Sequence, residues 1–117
     1  MSNFTIYHHP RCSKSRATLA LLEENGFNPV IVLYLDTGPD REELKGLLKK
    51  LGMSAADLVR TGEEAYKTCG LGKDSSELDV LAAMSGSPKL IERPIVVRGD
   101  RAVLGRPPEN VLGLLAE

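Results

Sequence analysis

Apolar and polar positions along this 117-residue chain change period several times, and each change marks an element. Thr5-Ile6-Tyr7 belongs to an apolar segment that breaks at His8-His9-Pro10. A residue before proline is pushed out of the helical region, so residues 4–7 read as a strand followed by a loop to about Ser13. From Ser13 to Glu24 the spacing is helical, with Leu19 and Leu22 on one face, and Asn25-Gly26 offers a left-handed stop. Val30-Ile31-Val32-Leu33-Tyr34-Leu35 is a continuous apolar run rich in β-branched residues, which predicts a strand covered on both faces. Strand, helix and strand in so short a stretch make a βαβ unit with parallel strands.

The middle of the chain is helical in pattern. After the turn Asp36-Thr37-Gly38-Pro39, Asp40 and Glu43 have the spacing of a capping box ahead of Leu44, Leu47, Leu48 and Leu51, and Gly52 ends that amphipathic helix. Ser54 with Asp57 and Ser76 with Asp79 repeat the cap signal, so residues 54–86 read as short helices broken at Gly62, at Gly70-Leu71-Gly72 and at Gly86. Beyond Ser87-Pro88, Pro94-Ile95-Val96-Val97 and Ala102-Val103-Leu104 flank a Gly99-Asp100 turn, a hairpin signature. Pro107-Pro108 opens a last helix carrying Val111, Leu112, Leu114 and Leu115. The expected architecture is α/β: a βαβ unit and a β-hairpin in one mixed sheet, a helical insertion at about 39–87, and a single domain over 1–117.

Charge narrows the chemistry. With 15 Lys plus Arg against 16 Asp plus Glu, the net charge of -1 lacks the basic excess of a nucleic-acid-binding domain. No apolar run approaches the ~18 residues of a membrane span, and Met1-Ser2-Asn3-Phe4 carries no basic leader, so a cytoplasmic location is expected. Cys12 and Cys69 are too few for a disulfide framework and lack the paired spacing of structural zinc, so reduced thiols are expected. Cys69, without basic neighbours in sequence, reads as a semi-buried structural thiol.

Cys12 is different. No acidic residue precedes Glu23, yet Arg11, Lys14 and Arg16 crowd around this thiol, with His8 and His9 just upstream. Cys12 also falls where a loop enters a helix, and there free amides and the positive dipole end favour an anion. Such surroundings lower a cysteine pKa from ~8.5 into the range of about 3.5–7.5, which makes a nucleophile at neutral pH. The same donors would receive an oxyanion substrate. A tyrosine-phosphatase loop would need arginine where Thr18 stands, and adjacent histidines on a strand point to opposite faces, so neither that loop nor a metal site is expected.

His8-His9-Pro10-Arg11-Cys12-Ser13-Lys14-Ser15-Arg16, with Glu92-Arg93-Pro94-Ile95-Val96-Val97 and Gly105-Arg106-Pro107 downstream, resembles the glutaredoxin-coupled arsenate reductase family, and most closely its short, housekeeping-type bacterial members. The resemblance covers essentially the whole chain and implies a thioredoxin-like fold. It implies that Cys12 attacks arsenate or a similar small oxyanion, that Arg60, Arg93 and Arg106 line the oxyanion pocket, and that His8 helps tune the thiolate. Ser15, Lys14, Arg16 and Pro94 would support the site, with a cis peptide at Arg93-Pro94. On the same resemblance the protein holds no bound cofactor, glutathione is the co-substrate and glutaredoxin the partner. Ser15 stands where a Cys-x-x-Cys motif has its second thiol, so an outside reductant is required.

Two rivals share parts of this pattern. A glutathione-dependent monothiol oxidoreductase would use Cys12-Ser13-Lys14-Ser15 and a glutathione groove in place of the three-arginine pocket. An Spx-type regulator would bind RNA polymerase without catalysis, but those proteins usually switch through Cys-x-x-Cys, which Ser15 removes.

Overall fold

The fold is that of a computed structural model describing residues 4–115, with the Met1-Ser2-Asn3 lead-in outside the described residues. Two compact units emerge. One takes the residues up to Tyr34 together with those from Arg93 onward, and the other takes Leu35–Glu92.

The first unit is built on a four-stranded mixed sheet. Strands β1 (Phe4–Tyr7), β2 (Val30–Val32), β3 (Ile95–Arg98) and β4 (Arg101–Leu104) lie in the order β2-β1-β3-β4. Helix α1 (Ser13–Glu24) carries the chain back across the sheet, so β2 runs parallel to β1, with Ile6 opposite Ile31. Parallel neighbours need such a crossover. β3 pairs antiparallel with β1, Ile6 facing Val96, and β4 pairs antiparallel with β3 through a two-residue turn in which Gly99 has φ 62°. That positive φ is what a tight hairpin turn demands. The expected βαβ unit and hairpin are therefore both present.

The second strand departs from expectation. β2 spans only Val30–Val32, and the chain then turns into a short helix, α2 (Tyr34–Thr37), which ends before Gly38 at φ 61°. β2 is an edge strand, and Val30 and Ile31 are 64% and 47% exposed, so it is not covered on both faces. An apolar run reports affinity for a buried surface but not how many neighbours the strand will find.

Packing follows from strand alternation. Phe4 and Ile6 of β1 face the same way and join Val96, Leu22 of α1, and Val111 and Leu114 in one buried cluster. Val111 closes a 3₁₀ turn (Pro108–Val111) and Leu114 sits in α7 (Leu112–Leu115), so the final segment seals this face together with α1. The Arg98 guanidinium lies 4.9 Å from the Phe4 ring centroid and donates to the carbonyls of Leu114 and Leu115 at 2.6 and 3.2 Å. It thus satisfies helix-end carbonyls while stacking on an aromatic face. Leu22 is fully buried. Leu22→Ala is expected to lower unfolding free energy by about 2–5 kcal/mol in a urea titration, and a cost under ~1 kcal/mol would contradict this core assignment.

The second unit is helical: α3 (Arg41–Leu51), α4 (Ala55–Leu58), α5 (Glu64–Thr68), α6 (Glu77–Gly86) and a 3₁₀ turn (Pro88–Leu90). The starts follow the cap signals. Asp40 accepts from the Glu43 N–H at 2.8 Å, Asp57 accepts from the Ser54 N–H at 3.2 Å, and Ser76 accepts from the Asp79 N–H at 3.1 Å. Leu44, Leu47, Leu48, Leu58, Leu81 and Met84 form its buried interior. Val59 bridges Ile91, the Arg60 N–H donates to Leu90 at 2.7 Å, and the Glu92 N–H donates to Leu58 at 3.0 Å, which holds residue 60 beside residue 92. Among the described residues no helix is long and apolar enough to cross a membrane.

Candidate active site

The loop after β1 is tied down at both ends. The His8 N–H donates to Val32 at 2.9 Å, extending the β1–β2 ladder past Tyr7. The Cys12 N–H donates to His9 at 2.9 Å, and the Cys12 carbonyl accepts from the Arg16 N–H at 3.0 Å. Cys12 is therefore the cap residue of α1, extended at φ -90° and ψ 124°, with its sulfur half-buried at the helix N-terminus.

Two arginines reach this sulfur from the far end of the sequence. Arg106, just past β4, places Nη1 4.0 Å from Cys12 Sγ and donates from the same nitrogen to the Arg93 carbonyl at 3.2 Å. The Arg93 guanidinium lies near enough to favour the Cys12 thiolate, while its Nε is buried without a hydrogen-bond partner. Both Arg93–Pro94 and Arg106–Pro107 peptides are cis, the first as the resemblance implies and the second not foreseen. A buried guanidinium N–H with no acceptor, beside a thiol, is a vacant donor for an anionic oxygen.

Opposing influences set the ionisation of Cys12. Burial pushes the thiol up, but the N–H groups of Ser15 and Lys14 and the hydrogen bond and charge of Arg93 outweigh it, leaving the thiol below its ordinary value. The first turn of a helix supplies those free amides. The direction matches the sequence expectation, and so do the first-turn amides, but the charge comes from Arg93 and not from the adjacent basic residues. Arg11, Lys14 and Arg16 are exposed, and Arg16 turns back to donate to the Pro10 carbonyl at 3.4 Å. Solvent screens such charges, so the Lys14 amide and the distant Arg93 matter more than the adjacent side chains.

His8 reaches Cys12 only through Ser15. Ser15 is fully buried; its Oγ accepts from the His9 N–H at 3.0 Å and lies 2.7 Å from His8 Nδ1. A neutral His8 can accept the serine proton at Nδ1 or donate an N–H to the second lone pair of Oγ, so either tautomer of the uncharged ring satisfies the pair. Burial, the neighbouring His9 and the charge of Arg16 all push His8 below its ordinary value, consistent with that form. The folded state thus favours neutral His8, whereas the unfolded chain binds a proton below about pH 6.5. Its contribution to stability is complete above that pH and is lost as pH falls below it. His8→Gln should flatten the fall in melting temperature between about pH 6.5 and 5; identical slopes in parent and variant would remove His8 from the account.

Arg60 belongs to the helical unit. Its guanidinium bonds Glu63 at 3.3 Å and pairs with Glu92. It is therefore a half-buried ion-pair centre and not a bare helix-terminal arginine. Cys69 is exposed, which corrects the expectation of a semi-buried thiol, because α5 ends at Thr68 and the chain turns outward at Gly70. Among the described residues no three His, Cys, Asp or Glu side chains gather as metal ligands would.

With this geometry in place, comparison with known proteins is direct. A family model, that of the ArsC family, matches residues 7–114. The chain belongs to the ArsC family. This ArsC-family chain is 54% identical over 112 residues to the YfgD protein of Escherichia coli K12, each covered to 94%. It is 49% identical over 112 residues to an arsenate reductase of Haemophilus influenzae, covering 94% of this chain and 97% of that one. An arsenate reductase structure from Vibrio cholerae superimposes with a TM-score of 0.92 at 49% identity, covering 96% of this chain and 97% of that one. Its fold is thioredoxin-like.

Two residues packed beside Cys12 and the arginines were given no role by the sequence. Thr18 of α1 is fully buried, with its hydroxyl 2.8 Å from the Lys14 carbonyl and 3.3 Å from the Gly105 carbonyl. Gly105, just before Arg106, donates to the Pro94 carbonyl at 2.9 Å. The one available signal was a glycine at the end of a strand, a mark of close backbone approach.

Proposed function

We propose that this ArsC-family protein reduces arsenate to arsenite, with Cys12 as nucleophile and glutathione and glutaredoxin as the source of electrons. The observation that carries this reading is the pair of guanidinium groups, from Arg93 and Arg106, at a thiol that is held below its ordinary pKa. Arsenate is a tetrahedral oxyanion, and arginine forks bind such oxygens with fixed charge and geometry. The arsenate reductase names of close relatives support the same substrate.

The chemistry runs in two stages. Cys12 thiolate forms an S–As bond as one arsenate oxygen leaves as water, with Arg93 and Arg106 compensating the charge on the remaining oxygens. Glutathione attacks that adduct and glutaredoxin completes the transfer. When a thiol attacks a sulfur bound to arsenic, an S–S bond forms, the S–As bond breaks and its electron pair stays on arsenic, which departs as arsenite. Two electrons reach arsenic as two thiols become a disulfide. Thiols carry all the electrons, so the protein needs no resident cofactor, and a reducing compartment such as the cytoplasm suits the reaction. Arg60 enters this reading through the family resemblance alone; in its own unit its guanidinium is paired with Glu63 and Glu92.

The test is arsenate-dependent NADPH oxidation in the presence of glutathione, glutaredoxin and glutathione reductase. Turnover that needs all of these supports the reading. Absence of arsenate turnover, with reduction of a glutathionylated peptide instead, would assign the protein to the monothiol oxidoreductases.

A further inference from the structure

Cys12, Arg93 and Arg106 come from three separate stretches of chain, and a site of this kind works only if its groups are held to within about half an ångström. One buried hydroxyl joins two of those stretches. Thr18 Oγ1 has a single proton and faces two carbonyls, Lys14 at 2.8 Å and Gly105 at 3.3 Å. Gly105 in turn donates to Pro94 at 2.9 Å, and Arg106 donates to the Arg93 carbonyl at 3.2 Å while reaching Cys12 Sγ at 4.0 Å. The connections close a ring from the Cys12 turn through Thr18 and Gly105 to Arg93 and Arg106, and back to the sulfur.

The approach at Gly105 is closer than any other residue would permit. A Cβ there would lie 2.4 Å from Thr18 Oγ1, 2.9 Å from Thr18 Cγ2 and 2.8 Å from Pro94 Cγ, whereas a Cβ at each other glycine would meet nothing within 4 Å. Gly105 has no positive φ, so proximity and not backbone conformation is what requires a glycine here.

We propose that Thr18 and Gly105 are positioning residues, a clasp that fixes the distance between the Cys12 turn of α1 and the arginines that serve it. This deepens the reading of Cys12 as the nucleophile of an oxyanion site and rests on it. Neither residue touches the reacting atoms. Loosening the clasp lets the Lys14 amide and the Arg93 and Arg106 guanidinium groups drift from the sulfur, so the thiolate loses its donors and the oxyanion its forks.

The experiment uses a Cys69→Ser background, in which Cys12 is the sole thiol, and follows the rate of alkylation by iodoacetamide against pH. Thr18→Val keeps the side-chain shape and removes the hydroxyl; its alkylation midpoint is expected to rise by about one pH unit, and its KM for arsenate by about tenfold. Thr18→Ser restores the hydroxyl and is expected to stay within about 0.3 pH units of the parent. Gly105→Ala should shift the midpoint further, and if it does not fold, the valine and serine variants decide alone. An unchanged midpoint in Thr18→Val, or equal shifts in Thr18→Val and Thr18→Ser, overturns the clasp even if both variants lose thermal stability. A parent without arsenate turnover, combined with a shift in Thr18→Val alone, sinks the substrate assignment and leaves the clasp standing.

Discussion

Cys12→Ser is expected to lower arsenate-dependent NADPH oxidation by on the order of a thousandfold or more, down to the background of the coupling system. Serine fills nearly the same volume at the α1 cap, where Cys12 is only half-buried. What changes is chemistry. A serine hydroxyl stays protonated at neutral pH even beside the Ser15 and Lys14 amides, and its oxygen cannot pass an electron pair to arsenic by forming a disulfide. Arg93 and Arg106 remain, so the variant should still bind an oxyanion with near-parental affinity while failing to reduce it. Retention of turnover in Cys12→Ser would falsify the nucleophile assignment outright.

Arg93→Ala and Arg106→Ala form the second large effect. Each removes a positioned, permanently charged donor from the sulfur and its substrate, and kcat/KM is expected to fall by about 10²–10³. Arg93→Ala should also raise the pH midpoint of Cys12 alkylation, because Arg93 opposes the upward push of burial both by hydrogen bond and by charge. Lysine at position 93 should rescue little, since a point charge on a flexible stem cannot reproduce a planar fork. Arg11→Ala is the control: its exposed side chain acts through solvent and should cost less than about fivefold. Equal losses from Arg11, Arg93 and Arg106 substitutions would show that diffuse charge, and not a formed cup, serves the thiol.

The contrast between Arg11 and Arg93 also shows where reading residues in order succeeds. The cluster Arg11, Cys12, Lys14 and Arg16 correctly marks the thiol as unusual. Sequence adjacency says that charges are near in the chain but not which way they point. In the fold those basic residues are exposed, Arg16 bonding back to the Pro10 carbonyl, and the donors that count are backbone amides of the first helical turn and an arginine from the far end of the chain. The resemblance named Arg93 and Arg106; periodicity alone could not have selected them.

Element by element, local signals carried most of the architecture. Polar caps at Asp40, Ser54 and Ser76 and the Gly99-Asp100 turn are short-range devices, and each appears where its residues stand. The apolar run from Val30 misled because its first half forms the edge strand and its end enters α2, where Tyr34 is buried. Composition and cap chemistry thus determined the βαβ unit, the helices and the hairpin of this chain, and singled out Cys12 as an unusual thiol, because these depend on neighbours a few residues away. Only tertiary structure decided which strand lies at the edge, which arginines meet the sulfur, and that Thr18 and Gly105 pack where a methyl group has no room. Those outcomes depend on ångström-scale distances between segments that the order of residues does not encode locally.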